Sequence, residues 1–257
     1  MFLGERLCSE DDLAPALGGL VVQRTPSPVL SLNGDSFEQF LSSRGRNFRQ
    51  EVKRRAKVLS EVGAEYRLTN DPAEVHRDMQ TLVRLHSARW GRSGSTVFGG
   101  RAAGFHTDFA CRALSQGWLR LWTMRIRGNP VAAWYGLRYG GIESYYQAGR
   151  DPEFDHLGVG FVLLCHSVMA AFEDGVREYH FGSGGEPYKY RFSNQDPGLE
   201  TVAVHVGLPG SFINGRAPGW PGRGNVRLRR ENAGCETAFP ISGGSPKWCS
   251  VMGWFQS

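Results

Sequence analysis

DHLGVGFVLLCHSVMAAFEDGVREYHFGSGGEPYKYRF, residues 155–192, is the stretch that decides the fold of this chain. Its pattern predicts a tight turn with two glycines, a long apolar helix, a short strand and a second glycine loop. A Gly-x-Gly turn that opens a helix presents unpaired backbone N–H groups, and the positive end of the helix dipole, to a phosphate. The stretch therefore predicts a site for a phosphate-bearing ligand beside residues 158–160.

The composition is that of a globular protein with a basic balance. Of the 257 residues, 40% are hydrophobic and 12% are aromatic, which excludes wholesale disorder. The formal net charge of +5 permits an anionic partner, whether a CoA, a nucleic acid or an acidic glycan. No apolar run approaches the ~18 residues of a membrane span, and no signal peptide is apparent, so a cytoplasmic protein is expected. The five cysteines are widely spaced, without a Cys-x-x-Cys pair, so neither a disulfide framework nor a metal site is expected.

Composition also divides the chain into four segments. Residues 1–35 are weakly patterned and are expected to be an N-terminal remnant and linker, with a possible strand at 20–22. Residues 36–63 are predicted to form a basic helical arm. Residues 64–206 carry the repeated strand and helix patterns of a domain. Residues 207–257 are rich in Gly, Pro, Arg and Trp, show no sustained period, and are expected to be poorly structured.

The basic helical arm combines an apolar stripe with a cluster of cations. Phe48, Val52 and Leu59 recur at helical spacing, and Gly63 is expected to end the helix. Seven Arg and Lys residues lie between positions 44 and 57. These cations form either a solvated face or an anion-binding surface, and charge patterning does not separate the two.

Residues 64–206 predict one mixed sheet. The expected order is a strand, two helices, three strands, a helix, a strand, a short helix and a strand. Strands at 118–127, 131–139 and 142–148 are joined by short glycine turns, so they form an antiparallel meander. A crossover helix over 159–174 makes the next strand parallel to the third strand of the meander, at 142–148. The fold class is α/β (α+β), with helices flanking the sheet and a splay expected where the Gly-x-Gly turn lies.

This order, together with the glycine motifs, resembles the GNAT acetyltransferase superfamily over about residues 28–206. Three passages look like its CelD-like, FemAB-related branch: LHSARW at 85–90, PVAA at 130–133 and FGSGGEPYKYRF at 181–192. The last is the most specific, because a glycine loop followed by Glu-x-Tyr-Lys is a recurrent ending of that branch. Members of the branch commonly carry a further GNAT-like half before the basic helix, of which residues 1–29 are expected to be the remainder.

The resemblance implies acetyl-CoA, or another acyl-CoA, as co-substrate. The usual GNAT turn is Arg/Gln-x-x-Gly-x-Gly/Ala, and residues 155–160 match its two glycines but carry Asp155 at the first position. Arg150 or His156 is expected to supply the positive charge that Asp155 lacks. The expected cofactor-binding residues are those whose backbone N–H groups lie at the turn, namely Leu157, Gly158, Val159, Gly160 and Phe161.

The same resemblance places catalytic residues after the strand that follows the crossover helix. Acyl transfer from a thioester needs donors for the developing oxyanion and a proton for the departing thiolate. Tyr188 is the first candidate for the proton donor and Tyr190 the second, with simple packing as the alternative. Lys189 is expected to anchor the donor, to stabilise charge in the transition state, or to form a salt bridge to Glu186. Backbone N–H groups near residues 147–149 are expected to meet the oxyanion.

On the acceptor side, His86, Arg89 and Trp90 are expected to contact substrate. His86 also lies on the buried stripe of its helix, where most histidines are packed and hydrogen-bonded. Glu143, Glu186 and His86 are the candidates for a general base, and a water chain is the alternative to all three.

Three functions are consistent with the sequence. The first is an acyl-CoA-dependent N-acyltransferase that acts on an amine, such as an amino sugar of cell-envelope or exopolysaccharide synthesis. The second is a FemAB-like transferase in which residues 44–57 contact aminoacyl-tRNA. The third is a non-catalytic module that keeps the fold without turnover.

Overall fold

The computed structural model describes residues 2–32, 36–90 and 96–204, except for the side chains of Trp90 and Thr96. The predicted tail at 207–257, and residues 91–95 of the predicted glycine-rich loop, lie outside the described residues. The strands are β1 (Phe2–Cys8), β2 (Leu20–Thr25), β3 (Val29–Ser31), β4 (Ala64–Leu68), β5 (Leu119–Ile126), β6 (Asn129–Tyr139), β7 (Ile142–Arg150), β8 (Glu178–His180) and β9 (Leu199–Val204). The helices are α1 (Leu13–Ala16), α2 (Phe37–Ser43), α3 (Arg46–Glu61), α4 (Pro72–Trp90), α5 (Ala102–Ser115), α6 (Val159–Glu173) and α7 (Pro187–Tyr190).

The main sheet has six strands in the order β3-β8-β7-β6-β5-β4. The strands β5, β6 and β7 form the antiparallel meander, and β8 lies beside β7 in the parallel direction. The connection between β7 and β8 runs through α6, as a parallel pair requires. The predicted mixed α/β fold is confirmed.

The strands β7 and β8 separate soon after they pair. Their register covers three pairs, from Ile142↔Glu178 to Ser144↔His180. β8 then ends, whereas β7 continues to Arg150. In the described part of the chain no strand pairs with this edge of β7 beyond Ser144, and a gap opens in the sheet. This is the predicted splay, and it lies beside the turn that begins α6.

Helices cover both faces of the main sheet. On one face, α2, α3 and α6 bury an apolar cluster that includes Phe48, Trp134 and Leu163. On the other face, α4 and α5 bury a second cluster around Met79 and Leu121. Burial of apolar surface stabilises the fold by about 25 cal/mol per Å². The two clusters therefore fix the sheet, and with it the splay, from both sides.

The helix α6 is buried more completely than a surface helix. Nine of its 15 residues are buried, because it packs against the sheet and is covered by α2 and α3. A helix with apolar residues on all sides is typical of a buried position. As a result, the Gly-x-Gly turn at its start is held on a rigid element.

The N-terminal segment contains more structure than the sequence predicted. β3 lies in the predicted linker, and it pairs with β8 at the edge of the main sheet. β1 and β2 lie on either side of β9 in a separate three-stranded sheet of order β1-β9-β2. The sequence predicted β9 and a possible strand at 20–22, which lies within β2, but neither β1 nor the pairing of these strands, since pairing between distant segments leaves no local pattern. The division of the chain at residues 35, 63 and 206 stays a prediction.

The basic arm consists of two helices, where the sequence predicted one. Ser36 begins α2 with a capping box, in which Ser36 and Gln39 exchange side-chain and backbone hydrogen bonds. Arg44 and Gly45 are extended and separate α2 from α3. The guanidinium of Arg44 donates to the carbonyl oxygens of Phe192 (2.7 Å) and Ser193 (3.1 Å). The break therefore aims a cation at the end of the glycine motif.

Candidate active site

The start of α6 offers unpaired backbone N–H groups. Gly158 has a φ of +71°, and its carbonyl accepts the first intrahelical bond, from Val162 N–H at 3.0 Å. The N–H groups of Val159, Gly160 and Phe161 precede that bond, so they lack an intrahelical acceptor. This is the geometry in which helix starts bind phosphate groups.

A cation from α3 lies against this turn. A Cβ atom added to Gly158 would collide with the guanidinium of Arg55, so the glycine is required for close approach as well as for its positive φ. Arg55 is held in place by Glu51, one turn earlier, at 2.9 Å. Glu51 also accepts from Arg191 at 2.5 Å, which ties α3 to the residue that follows α7.

Asp155, which departs from the GNAT pattern, is paired with Arg150. The Arg150 guanidinium binds both carboxylate oxygens, and its Nη2 lies 3.2 Å from Oδ2. This hydrogen bond lowers the pKa of Asp155 against the opposing effect of burial, so the carboxylate is charged. Arg150 was one of two residues expected to supply positive charge to the cofactor, and its guanidinium is instead paired with Asp155. His156 instead bonds the Glu153 carbonyl through Nδ1 at 2.9 Å.

A cleft of about 320 Å³ lies at the splay and joins these groups. It extends from the turn at Gly158 and Gly160 to the aromatic side chains of α7 and β7. The described residues that line it are Arg89, Trp134, Tyr145, Ala148, Gly149, Arg150, Asp155, Gly158, Gly160, Phe161, Leu164 and Tyr188. The free edge of β7 at Ala148 and Gly149 thus faces the same space as the start of α6.

Tyr188 lines this cleft, and its hydroxyl shares a hydrogen bond with the hydroxyl of Tyr145. Tyr145 is also hydrogen-bonded to Arg89, which reaches the cleft from the end of α4. Burial raises the pKa of Tyr188, and the neighbouring Tyr145 and Glu186 raise it further. A phenol with a raised pKa stays protonated, so Tyr188 carries its proton at neutral pH and is not a base.

The other candidates on α7 point elsewhere. The hydroxyl of Tyr190 donates to Asp196 at 2.6 Å, and the residue is exposed. Lys189 is buried and forms an ion pair with Glu186 at 2.8 Å, the third of its three predicted contacts. Burial raises the pKa of Glu186, but hydrogen bonds from Lys189 and from the backbone outweigh that effect and lower it. Neither Lys189 nor Glu186 is among the described residues that line the cleft.

The predicted substrate residues share the last turns of α4. His86 is buried, hydrogen-bonded to Gln147 and in edge contact with the ring of Phe98 at 5.0 Å. Burial lowers the pKa of His86, and the charge of Arg89 lowers it further. A Cβ atom at Gly149 would collide with the backbone of His86, so α4 packs closely on β7. Arg89 lines the cleft, whereas the Trp90 side chain lies outside the described residues.

Glu143, a predicted general base, is buried in an ion-pair network away from the cleft lining. Arg138 donates to its carboxylate at 2.5 and 2.8 Å, and Arg120 lies at 3.6 Å. Burial raises the pKa of Glu143, and the opposing effect of Arg138 offsets this rise only in part. Arg138 also bonds Asp174, just after α6. The network therefore joins the sheet to the end of α6.

The basic residues of the arm have different roles. Arg44, Arg49 and Arg55 are bound by carbonyl or carboxylate groups within the protein. Arg46, Lys53 and Arg54 are exposed on the outer side of α3. Lys57 is also exposed and pairs with Glu61, so three of the seven predicted cations are structural and four lie at the surface.

Among the described residues, neither a metal-binding cluster nor a membrane-spanning helix occurs. No group of three or more His, Cys, Asp or Glu side chains there is arranged to hold a metal ion. Within the same part of the chain, no helix has the length and apolar character needed to cross a membrane. Cys8, Cys111 and Cys165 form no disulfide bond in the part of the chain that the structure describes.

Two residues of the site, Arg55 and Tyr145, were not singled out from the sequence, although Arg55 is one of the seven cations predicted for the arm. Arg55 interrupts the apolar stripe of α3, at helical spacing from Val52 and Leu59, and a cation in such a stripe indicates a specific partner. Tyr145 is one of two adjacent tyrosines that face opposite sides of β7, and a single sequence does not show which one faces a cleft.

Comparison with known proteins is consistent with this geometry. The model of the acetyltransferase (GNAT) domain family matches residues 46–190, more than half of the chain. No protein of curated function matches the sequence. Among solved structures, L-PGS from Bacillus licheniformis has a TM-score of 0.56 at 11% identity, covering 76% of this chain and 65% of its own. FemX has a TM-score of 0.53 at 10% identity, with 70% and 61% covered. The chain thus spans less than two thirds of either neighbour, and at these identities the likeness shows the fold alone. The family model and the fold thus agree.

Proposed function

The chain belongs to the acetyltransferase (GNAT) domain family, and on that premise we propose that it transfers an acyl group, in the simplest case acetyl, from an acyl-CoA to an amine. One observation carries the proposal. A single cleft joins the phosphate-binding geometry at the start of α6 to a protonated tyrosine, Tyr188, across the splayed edge of β7. These are the groups that acyl transfer from a thioester requires.

The residues at the turn fit a CoA pyrophosphate. The N–H groups of Val159, Gly160 and Phe161 would bind phosphate oxygens, and the guanidinium of Arg55 would add charge. Arg55 would replace the Arg or Gln side chain that the usual GNAT turn carries at the position of Asp155. Arg150 does not fill this role, because it is occupied in neutralising Asp155. The absence of side chains at Gly158 and Gly160 permits the close approach that such contacts need.

The reaction requires two further contributions from the chain. A bound acyl-CoA supplies an activated thioester carbonyl. Backbone N–H groups along residues 147–149, on the edge of β7 that β8 leaves, would donate to the carbonyl oxygen as it gains charge. Tyr188 would give its proton to the departing thiolate sulfur, and Tyr145 and Arg89 hold the Tyr188 hydroxyl in the cleft.

We infer a small-molecule or glycan amine as the acceptor, for example an amino sugar of cell-envelope or exopolysaccharide synthesis in the cytoplasm. Arg89 lies where the acceptor would meet the donor, so it is proposed to orient the acceptor together with His86, which supports the wall behind it. Near Arg89, the polar groups of the cleft are its guanidinium and the phenols of Tyr145 and Tyr188, which suit amines that carry hydroxyl or carboxylate groups.

The test is acetyl-CoA-dependent release of thiol with a panel of amines. The panel would contain amino sugars, amino acids and polyamines, and a reaction without amine measures background hydrolysis. We expect release above background with at least one amine, and mass spectrometry should find the acylated amine. Release no faster than hydrolysis with every amine, despite acetyl-CoA binding, would favour the non-catalytic module instead.

A second candidate is a FemAB-like transfer from aminoacyl-tRNA, which the exposed cations Arg46, Lys53 and Arg54 of α3 favour. Contacts to several phosphates make binding fall steeply with salt. Binding of aminoacyl-tRNA that weakens about 10²-fold or more between low and moderate salt, and that is lost when all three cations become alanine, would favour this candidate. Weak, salt-insensitive binding would exclude it.

A further inference from the structure

Lys189 is the most completely buried cation next to the cleft. Its side chain is 3% exposed, although the neighbouring Tyr188 lines the cleft and the neighbouring Tyr190 is exposed to solvent. Burial of an ammonium group is unfavourable unless its N–H groups have acceptors. The surroundings of this nitrogen therefore show what the residue does.

Four oxygen atoms surround the Lys189 ammonium. The carbonyl oxygens of Gly182, Ser183 and Gly184 lie 3.3, 2.7 and 3.2 Å from Nζ. The carboxylate of Glu186 lies at 2.8 Å. An ammonium has three N–H groups and no acceptor, so these oxygens occupy all of its hydrogen-bonding capacity. No N–H group is left to meet a substrate.

The glycine loop needs this cation to keep its shape. Gly182 and Gly184 have φ values of +74° and +107°, and this conformation turns three successive carbonyls toward one point. Parallel carbonyl dipoles repel one another unless a cation lies between them. Gly184 N–H donates to the carbonyl of Pro26 at 2.8 Å, which attaches the other side of the loop to the chain before β3.

The loop in turn fixes Tyr188. α7 has four residues, too few to be stable alone, and it begins directly after the loop at Glu186. The Lys189 side chain reaches back from α7 to the loop, so the two segments move as one unit. The position of the Tyr188 hydroxyl beside Tyr145 depends on that unit.

We propose that Lys189 is a positioning residue: its ammonium ties the carbonyls of residues 182–184 and the Glu186 carboxylate to α7, and thereby holds Tyr188 in the cleft. This inference rests on the proposed function for its kinetic consequence. It assigns no direct contact between Lys189 and either substrate.

The variants Lys189→Met and Lys189→Ala test it. Lys189→Met keeps the length of the side chain and removes the charge, and Lys189→Ala also leaves a space that a small ammonium ion can enter. We expect kcat for thiol release to fall at least tenfold in both, with KM for acetyl-CoA within threefold of the parent. Methylammonium should restore part of kcat in Lys189→Ala but not in Lys189→Met, and tetramethylammonium at equal ionic strength should restore neither. Arg24→Met, which removes an exposed cation, should match the parent.

Three results would overturn the inference. The first is an unchanged kcat in folded Lys189→Met. The second is a rise in KM for acetyl-CoA at constant kcat, which would make Lys189 a ligand of the donor. The third concerns amide hydrogen exchange, which needs no turnover. Exchange at residues 182–190 should be faster in Lys189→Met than in the parent, and an unchanged rate would show that Lys189 does not hold the loop and α7 together. If the parent releases no thiol, the proposed function fails, while hydrogen exchange still decides the role of Lys189.

Discussion

The hydroxyl groups of Tyr188 and Tyr145 share a hydrogen bond, although one residue lies on α7 and the other on β7. The bond spans the place where β8 leaves β7, so it joins the two sides of the splay. Burial raises the pKa of both phenols, and both therefore stay protonated at neutral pH. Under the proposed function, a protonated phenol thus lies where the thiolate would depart.

Tyr188→Phe should lower kcat for thiol release about 10²-fold, because general-acid catalysis contributes roughly 10²–10⁴-fold and the variant removes the acid. KM for acetyl-CoA should change little, since the ring remains. Tyr190→Phe should keep kcat, because the Tyr190 hydroxyl bonds Asp196 and does not line the cleft. Steady-state kinetics of the two variants decide between the tyrosines, and an equal loss in both would reject this assignment.

Arg55→Ala should weaken acetyl-CoA binding about tenfold. A hydrogen bond to a charged group contributes roughly 1.5–3 kcal/mol, and partial exposure of Arg55 puts the effect at the lower end. The matched control is Arg54→Ala, which removes an exposed cation from the next position of the same helix. Calorimetric titration measures both. Equal losses would mean that α3 acts through its general charge and not through a contact at Gly158.

Glu143→Ala should destabilise the protein by about 3–5 kcal/mol, because it leaves the charges of Arg138 and Arg120 without their buried partner. The kcat of the folded fraction should stay within a small factor of the parent, since Glu143 does not line the cleft. Urea unfolding and thiol release would be measured on the same preparation. A large loss of kcat at unchanged stability would restore Glu143 as the general base.

The stability of the protein should fall below about pH 6.5. Burial lowers the pKa of His166, which stacks on Tyr66 at 4.3 Å and contacts Trp122 at 4.7 Å. In the unfolded chain histidine titrates near about 6.5, so below that pH the unfolded state binds a proton that the folded state does not. The contribution of His166 to the free energy of unfolding is therefore fully present above the pKa of histidine in the unfolded chain. It is lost as the pH falls toward the lower pKa of His166 in the folded protein. His86 and His106, whose pKa values burial also lowers, add to the loss.

His166→Phe keeps the ring contacts and removes one of these titrations. The free energy of unfolding should then decrease less between about pH 7.5 and about pH 5.5 than it does in the parent. Urea unfolding at the two pH values measures the difference. The same decrease in both proteins would show that His166 does not contribute.

The fold could be predicted from the sequence because its strongest patterns are local. The meander follows from alternating residues and glycine turns, and the parallel position of β8 follows from the helix that precedes it. The pairing of β9 with β1 and β2 could not be predicted, since both strands lie near the N-terminus, far from β9 in the sequence, and show weak patterns. The break between α2 and α3 also depends on a distant contact, that of Arg44 with Phe192 and Ser193.

The site was predictable where one motif carried it. Gly158, Gly160 and Tyr188, which the glycine patterns singled out, all line the cleft, whereas the side chain of Val159 is buried in the core. The orientation of Lys189 was not predictable, because adjacent residues of a four-residue helix alternate between cleft, core and solvent according to tertiary contacts. Arg55 and Tyr145 enter the site from elements that the motif does not include. Their contributions follow from packing between distant elements.

Calorimetric titration with acetyl-CoA, of the parent and of Gly160→Trp, tests the central claim most directly. A Cβ atom at Gly160 would lie 3.2 Å from Arg150 Cδ, so an indole there would fill the turn between α6 and the cleft. Circular dichroism and urea unfolding would establish that the variant is folded. We predict saturable binding to the parent and none to folded Gly160→Trp. Absence of binding to the parent, or equal binding to both proteins, would contradict the claim that this turn holds the acyl donor.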